Sequence, residues 1–245
     1  MMRGFFVLFG VLAYLIFFAV FLYLIGFVGN LPGLPLTIDR GPAADALPAL
    51  ATDFALVALF GIQHSVMARQ GFKRAWTRIV PKPVERSTYV LVTSAVLIAL
   101  FLLWRPLPQP VWSVANSAAA AALWAVFALG WGIVLLSTFL INHFELFGLK
   151  QVYLAFTGKG DAAPRLRRPF FYKFVRHPLY AGFLLAFWST PAMTLGHLVF
   201  ALGMTGYILI AIRYEERDLV DGFGADYELY QREVGMLVPG VGRRG

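Results

Sequence analysis

Three short runs of polar residues interrupt an otherwise apolar chain, and each holds side chains able to bind a charged ligand or move a proton. The first is Arg176-His177-Pro178-Leu179-Tyr180-Ala181-Gly182. Proline suits the first turn of a helix, where its missing N–H has no intrahelical partner anyway, and the residue before it is biased out of the α region. His177 is therefore expected at the N-cap of a helix opening at Pro178, with Tyr180 close by along it. A helix start offers unpaired N–H groups and a positive dipole end to a carboxylate or phosphate. The plainer reading is an interfacial Arg/His/Tyr anchor at headgroup level.

The second run is Arg213-Tyr214-Glu215-Glu216-Arg217, at the end of the last apolar stretch. Adjacent helical positions point about 100° apart, so Glu215 and Glu216 cannot both face one ligand. One is expected to bind a ligand carrying hydroxyls and positive charge, the other to pair with a neighbouring arginine; the sequence leaves open which does which. A solvated charge run ending a helix is the competing reading. The third run, Asn142-His143-Phe144-Glu145-Leu146-Phe147-Gly148-Leu149-Lys150-Gln151, follows the fourth apolar stretch. Asn142 and Glu145 share one helical face beside His143, a natural proton acceptor near neutral pH that a carboxylate can orient. Helix-end capping and headgroup contact would also account for these residues.

The elements that must position these groups are membrane helices. Hydrophobic residues make up 59% of the 245 and charged residues 14%, and the mean hydropathy is +0.70, outside the range of an ordinary soluble domain. A span needs about 20 apolar residues. The runs Phe5 to Val28, Phe54 to Met67, Tyr89 to Trp104 and Ala118 to Ile141 qualify or nearly do. The first is far longer than the apolar core of a cleaved signal peptide and reads as a retained span. Two shorter apolar pieces, Leu179 to Pro191 and His197 to Ile212, flank a Pro/Gly-interrupted turn and predict a helical hairpin that need not cross fully. The fold class expected is an all-α integral membrane protein. It comprises four transmembrane helices over residues 1–141, then a cytoplasm-facing region over 142–245 with the hairpin at 179–212 and a ligand-binding tail.

Loop charges orient this arrangement. Arg69, Lys73, Arg74, Arg78, Lys82 and Arg86 crowd one connection, and Lys150, Lys159, Arg165, Arg167, Arg168, Lys173 and Arg176 another. The positive-inside rule places both in the cytoplasm with the N-terminus and the C-terminus, so the three polar runs share one membrane face. The net charge of +8 is thereby accounted for by loops, and no nucleic acid partner is expected. Cysteine is absent, which excludes disulfides, thiolate metal sites and a cysteine nucleophile. His64, His143, His177 and His197 lack paired i, i+4 spacing, and no metal site is expected.

Arg-His-Pro-x-Tyr-x-Gly, a helical hairpin, Glu-Glu, then Phe223-Gly224, Tyr227-x-x-Tyr230 and Val238-Pro239 occur in an order that resembles the isoprenylcysteine carboxyl methyltransferase and phospholipid methyltransferase superfamily, over about Pro169 to Pro239. Phe21-Leu22-Tyr23-Leu24-Ile25-Gly26-Phe27 and His143 to Leu149 are similar to the NnrU-like branch, most closely to methanethiol S-methyltransferases. That likeness extends over nearly the whole chain. The resemblance implies S-adenosyl-L-methionine as cofactor, bound between the last helices and the tail. It makes His177 and Tyr180 contacts to the methionine and ribose portions and puts Glu215 or Glu216 on the ribose hydroxyls or amino group; Tyr214 and Gln151 complete the candidate cofactor set. The acceptor implied is a small volatile thiol, methylated to dimethyl sulfide at the cytoplasmic face of a bacterial inner membrane, among membrane lipid. On that footing His143, supported by Glu145 and Asn142, is expected to take the thiol proton, while the charge of Arg176 favours the thiolate. A lipid or prenylated carboxylate acceptor, or a non-catalytic NnrU-like membrane component, are the alternatives.

Overall fold

The computed structural model describes residues 2–161 and 165–244. Its helices are α1 (Met2–Val28), α2 (Ala46–Ala68), α3 (Gln70–Trp76), α4 (Lys82–Leu103), α5 (Ser117–Ile141), α6 (His143–Leu146), α7 (Leu149–Thr157), α8 (Pro178–Trp188), α9 (Leu195–Phe223) and α10 (Ala225–Glu233). Two short strands, β1 (Pro110–Ser113) and β2 (Ala192–Thr194), form a two-stranded sheet. Five helices among the described residues, α1, α2, α4, α5 and α9, are long and apolar enough to cross a membrane. At 27 residues, α1 is about 40 Å long, against about 30 Å of hydrocarbon. The chain is an integral membrane protein built mostly of helix.

Helix ends follow local chemistry. Asn116 caps α5, its side chain accepting from Ala119 N at 2.9 Å. Proline sits in the first turn of α4 and of α8, where the lost N–H costs nothing. α7 is bracketed by Gly148 and Gly158, both left-handed with φ of +88° and +69°, a conformation glycine enters without steric cost.

The chain forms two compact units. Unit one comprises Met1–Val111, His143–Ala162 and Thr194–Gly203. Within it α1 packs on α4 and α7, and α4 on α2. Phe27 meets Phe101 at 5.0 Å and Trp104 at 6.0 Å, and the Trp104 indole donates to Ile38 O at 3.0 Å. Asp53, fully buried in α2, accepts from Arg105 N at 2.9 Å. That contact partly offsets the cost of a carboxyl group away from water.

Unit two comprises Trp112–Asn142, Ala163–Met193 and Met204–Gly245. Here α5 lies along α8. A Cβ built on Gly130 would stand 2.7 Å from Gly182 O, and one on Gly182 2.7 Å from Gly130 O, so the crossing depends on two facing glycines. Trp131 meets Phe183 and Phe187 edge to face at 5.7 and 6.0 Å.

The hairpin differs from its sequence outline in both arms. The first arm, α8, has 11 residues and is about 16 Å long. The chain after it is extended and finds its backbone partners on the connection from α4 to α5. In unit two, Val114 N donates to Pro191 O at 2.9 Å and the Trp112 indole to Thr190 O at 3.1 Å; in unit one, Leu195 N donates to Gln109 O at 2.8 Å. Such pairing satisfies peptide groups that a helix would otherwise satisfy internally. The second arm does not stop near Ile212. α9 runs 29 residues to Phe223, because the Arg213–Arg217 run consists largely of good helix formers and Glu216 is neutralised by partners elsewhere in unit two.

Candidate functional site

Glu216 lies at the centre of unit two. It is 2% exposed, and both carboxylate oxygens are taken. Oε1 accepts from Arg176 Nε at 2.7 Å and His177 Nε2 at 3.2 Å; Oε2 accepts from Gln231 Nε2 at 3.0 Å and Arg244 Nη2 at 3.2 Å. Arg176 is as deeply buried and donates from every guanidinium nitrogen. Besides Glu216, it donates from Nη1 to Gln231 O at 3.1 Å and to Val234 O, and from Nη2 to Gly242 O at 3.1 Å. Burying an ion pair costs several kcal/mol per ion in desolvation, repaid only when the remaining polar atoms are bonded; here both carboxylate oxygens and all three guanidinium nitrogens are.

Local sequence explains how these groups converge. His177 is the N-cap of α8, with φ −125° and ψ 63°, and its C=O accepts from Ala181 N at 3.0 Å. Arg176 N and His177 N donate to Gly235 O at 2.8 Å and Met236 O at 3.1 Å, which fastens the start of α8 to the segment after α10. That segment folds back, with Met236 N on Val241 O at 2.8 Å and Arg244 N on Gln231 O at 3.1 Å. The chain beyond Pro239 thus closes on the cluster through Gly242 and Arg244. Tyr180 stands beside His177, ring centroids 5.8 Å apart. Of the residues preceding Glu216 on α9, Glu215 is half-buried and Tyr214 is exposed.

Three tyrosines border the cluster. Tyr230 donates to Tyr172 O at 2.5 Å, and burial pushes its phenol up to about 12. Tyr172 and Tyr227 are pushed up too, by burial first and then by nearby carboxylates, Glu215 for Tyr172 and Glu216 with Glu215 for Tyr227. Tyr227 is 2% exposed, and its hydroxyl has no hydrogen-bond partner among the described residues. A buried phenol left unpaired beside acidic groups fits a ligand bearing its own hydroxyl, amino or carboxylate groups.

The third run is divided by the unit boundary: Asn142 ends a segment of unit two, and His143 begins one of unit one. Asn142 is the C-cap of α5, its N–H on Thr138 O at 3.1 Å. His143 opens α6 and is 5% exposed, with Nε2 2.8 Å from Tyr14 Oη. Phe147 and Phe144 lie 4.8 and 5.6 Å from its ring, and burial in these surroundings lowers its pKa below the ordinary 6.5. Glu145 is partly exposed and receives Lys150 Nζ at 2.8 Å, which also bridges to Asp161 at 2.7 Å. Gln151 donates to Glu145 O at 3.1 Å, while its Oε1 is buried and unpaired among the described residues.

The structure therefore joins Arg176, His177 and Glu216 in one network, with Tyr180 alongside, and sets Glu145 and Gln151 near each other in unit one. Sequence reasoning missed Gln231, Arg244, Tyr227 and Tyr14. Tyr227 belongs to the Tyr227-x-x-Tyr230 motif, and Tyr14 is a polar side chain inside an apolar span.

No family model matches the chain, and no solved structure matches it significantly. Among curated proteins, the methanethiol S-methyltransferase of Mycobacterium tuberculosis is 52% identical over 233 residues, 95% of each chain. That of Crocosphaera subtropica is 49% identical over 242 residues, 99% of this chain and 94% of the relative. The chain belongs to the methanethiol S-methyltransferase family. Nurim of Xenopus laevis is a more distant relative, 30% identical over 208 residues, 80% of this chain and 72% of its own length. Membership makes the protein a methyltransferase and implies a methyl donor.

Proposed function

We propose that the chain methylates methanethiol to dimethyl sulfide with S-adenosyl-L-methionine, at the cytoplasmic face of a bacterial inner membrane with both termini on that side. What carries this reading is near-full-length identity of about half to relatives named for that reaction. The basic connections support the orientation.

When bound, S-adenosyl-L-methionine supplies a methyl group on a sulfonium, open to direct displacement. His177, Tyr180 and Tyr214 contact the donor's polar groups in this reading, and Tyr227 provides a further buried hydroxyl for them; Gln151 stays a candidate from the sequence. Glu216 cannot turn to a ligand without giving up four hydrogen-bond donors, so its assigned task is to hold His177. Half-buried Glu215 is left to face the donor's hydroxyls or amino group. Arg176 fixes Glu216 and the tail, and its positive charge favours negative charge nearby.

An alkyl thiol resembling cysteine, with pKa about 8.5, is mostly protonated at neutral pH. His143, kept neutral by burial, accepts that proton. Asn142 and Glu145 adjoin it along the chain, and Glu145 braces α6 and α7 through Lys150. A substrate this small is selected by an apolar pocket with modest discrimination.

The test uses purified protein with methyl-labelled S-adenosyl-L-methionine, offered methanethiol, a phospholipid or a prenylated cysteine. Label is expected in dimethyl sulfide. Label in a lipid or ester product, or S-adenosylhomocysteine binding absent altogether, would overturn the assignment.

A further inference from the structure

The Tyr14 hydroxyl stands 2.8 Å from His143 Nε2, and the two rings meet edge to face with centroids 5.7 Å apart. Aromatic neighbours hold this pair. Phe18 lies 6.3 Å from Tyr14 with near-parallel planes. Phe17 stacks on Phe147 at 4.1 Å, and Phe147 contacts the imidazole side. Packing alone would be served by phenylalanine at position 14, so the hydroxyl calls for a polar explanation.

Phenol is the better acid and neutral imidazole the better base, so the favoured hydrogen bond runs from Tyr14 O–H to Nε2, which leaves the ring proton on Nδ1. Nε2 is then the nitrogen able to accept a proton, and Tyr14 covers it. The imidazole is almost fully buried, whereas Tyr14 is half-buried and flanked along α1 by the exposed residues Leu12, Leu15 and Phe18. Tyr14 is thus the more accessible member of the pair, and its oxygen stands against Nε2.

We infer that Tyr14 relays the acceptor's proton to His143. The thiol S–H bond breaks and its proton passes to Tyr14 Oη, while the proton already on Oη passes to Nε2. Thiolate, neutral phenol and imidazolium result, with net charge unchanged. This rests on the reading of His143 as the base.

Tyr14→Phe keeps the ring and removes the relay. In that variant kcat should fall about 10-fold or more, with KM and S-adenosylhomocysteine affinity within about threefold of the parent. Combined with His143→Ala, the loss should be no greater than for His143→Ala alone, as for residues that act as a unit. 15N NMR of labelled histidine reads the hydrogen bond without turnover: His143 should be the Nδ1–H tautomer in the parent and lose that preference in Tyr14→Phe. Parental kcat in Tyr14→Phe, additive losses, or an Nε2–H tautomer in the unaltered protein would each overturn the relay. If His143→Ala turns over normally, the base assignment falls and the relay with it; if only Tyr14→Phe does, the relay alone falls.

Discussion

Two polar centres of the molecule, one in each unit, are built on opposite principles. In unit two, Glu216 receives four donors and Arg176 gives to four acceptors, so full charges are buried but saturated. In unit one, His143 is surrounded by aromatic rings and hydrogen-bonded to the Tyr14 hydroxyl. A saturated ion network fixes geometry and gives little up. A neutral imidazole keeps one ring nitrogen's lone pair able to accept a proton. In the proposed mechanism the contrast divides the labour into holding and reacting, and substitutions in the two centres should fail in different ways.

The largest effect is expected at Glu216. Glu216→Ala leaves Arg176 buried without its counter-charge, and breaking such a pair costs about 3–5 kcal/mol. Thermal unfolding in detergent should show the variant severely destabilised; parental stability would mean that the network is not what holds the tail on α8. Next come the facing glycines. Gly182→Val drives a side chain into the α5 backbone, with overpacking expected to cost about 1–3 kcal/mol, again read as a lowered melting temperature. Tyr227→Phe separates holding the fold from holding the donor. Its hydroxyl has no partner among the described residues, so stability should hardly change. S-adenosylhomocysteine binding should weaken by about 1 kcal/mol, several-fold in Kd by calorimetry. Lys150→Ala is expected to do least, since the pairs it makes are partly exposed and worth about 0–1 kcal/mol.

The pH response sharpens the same contrast. Burial lowers the His143 pKa from 6.5, so the folded protein resists protonation there more than the unfolded chain does. Its contribution to stability is present above the unfolded value and is lost as pH falls towards the folded one. With the neutral ring as the proposed base, kcat/KM should hold through pH 6.5 and decline only below it. A decline centred above 6.5 would contradict a buried, neutral base.

Apolar runs made the spans legible, since hydrocarbon demands length and apolarity and little else. Their boundaries were less so. α2 begins at Ala46, not Phe54, because Pro48 and Asp53 break the apolar pattern without breaking the helix, and α4 takes in Pro83 and Glu85 as its first turn. Strand β2 could not be read, since its pairing is decided by a loop some 80 residues earlier. The RHPxYxG and Glu-Glu runs pointed at the cluster in unit two, but neither run shows which acid is buried. That depends on Gln231 and Arg244, whose contacts are set by how the tail folds back. Tyr14 lies 129 residues from His143, and no local pattern links them.

One paired measurement bears most directly on the division of labour: S-adenosylhomocysteine binding and dimethyl sulfide release, followed together in His143→Ala and Glu216→Gln. His143→Ala should bind the ligand as the parent does while turnover drops about 10²–10⁴-fold, and Glu216→Gln should lose both together. Full turnover in His143→Ala, or undiminished binding in Glu216→Gln, would contradict it.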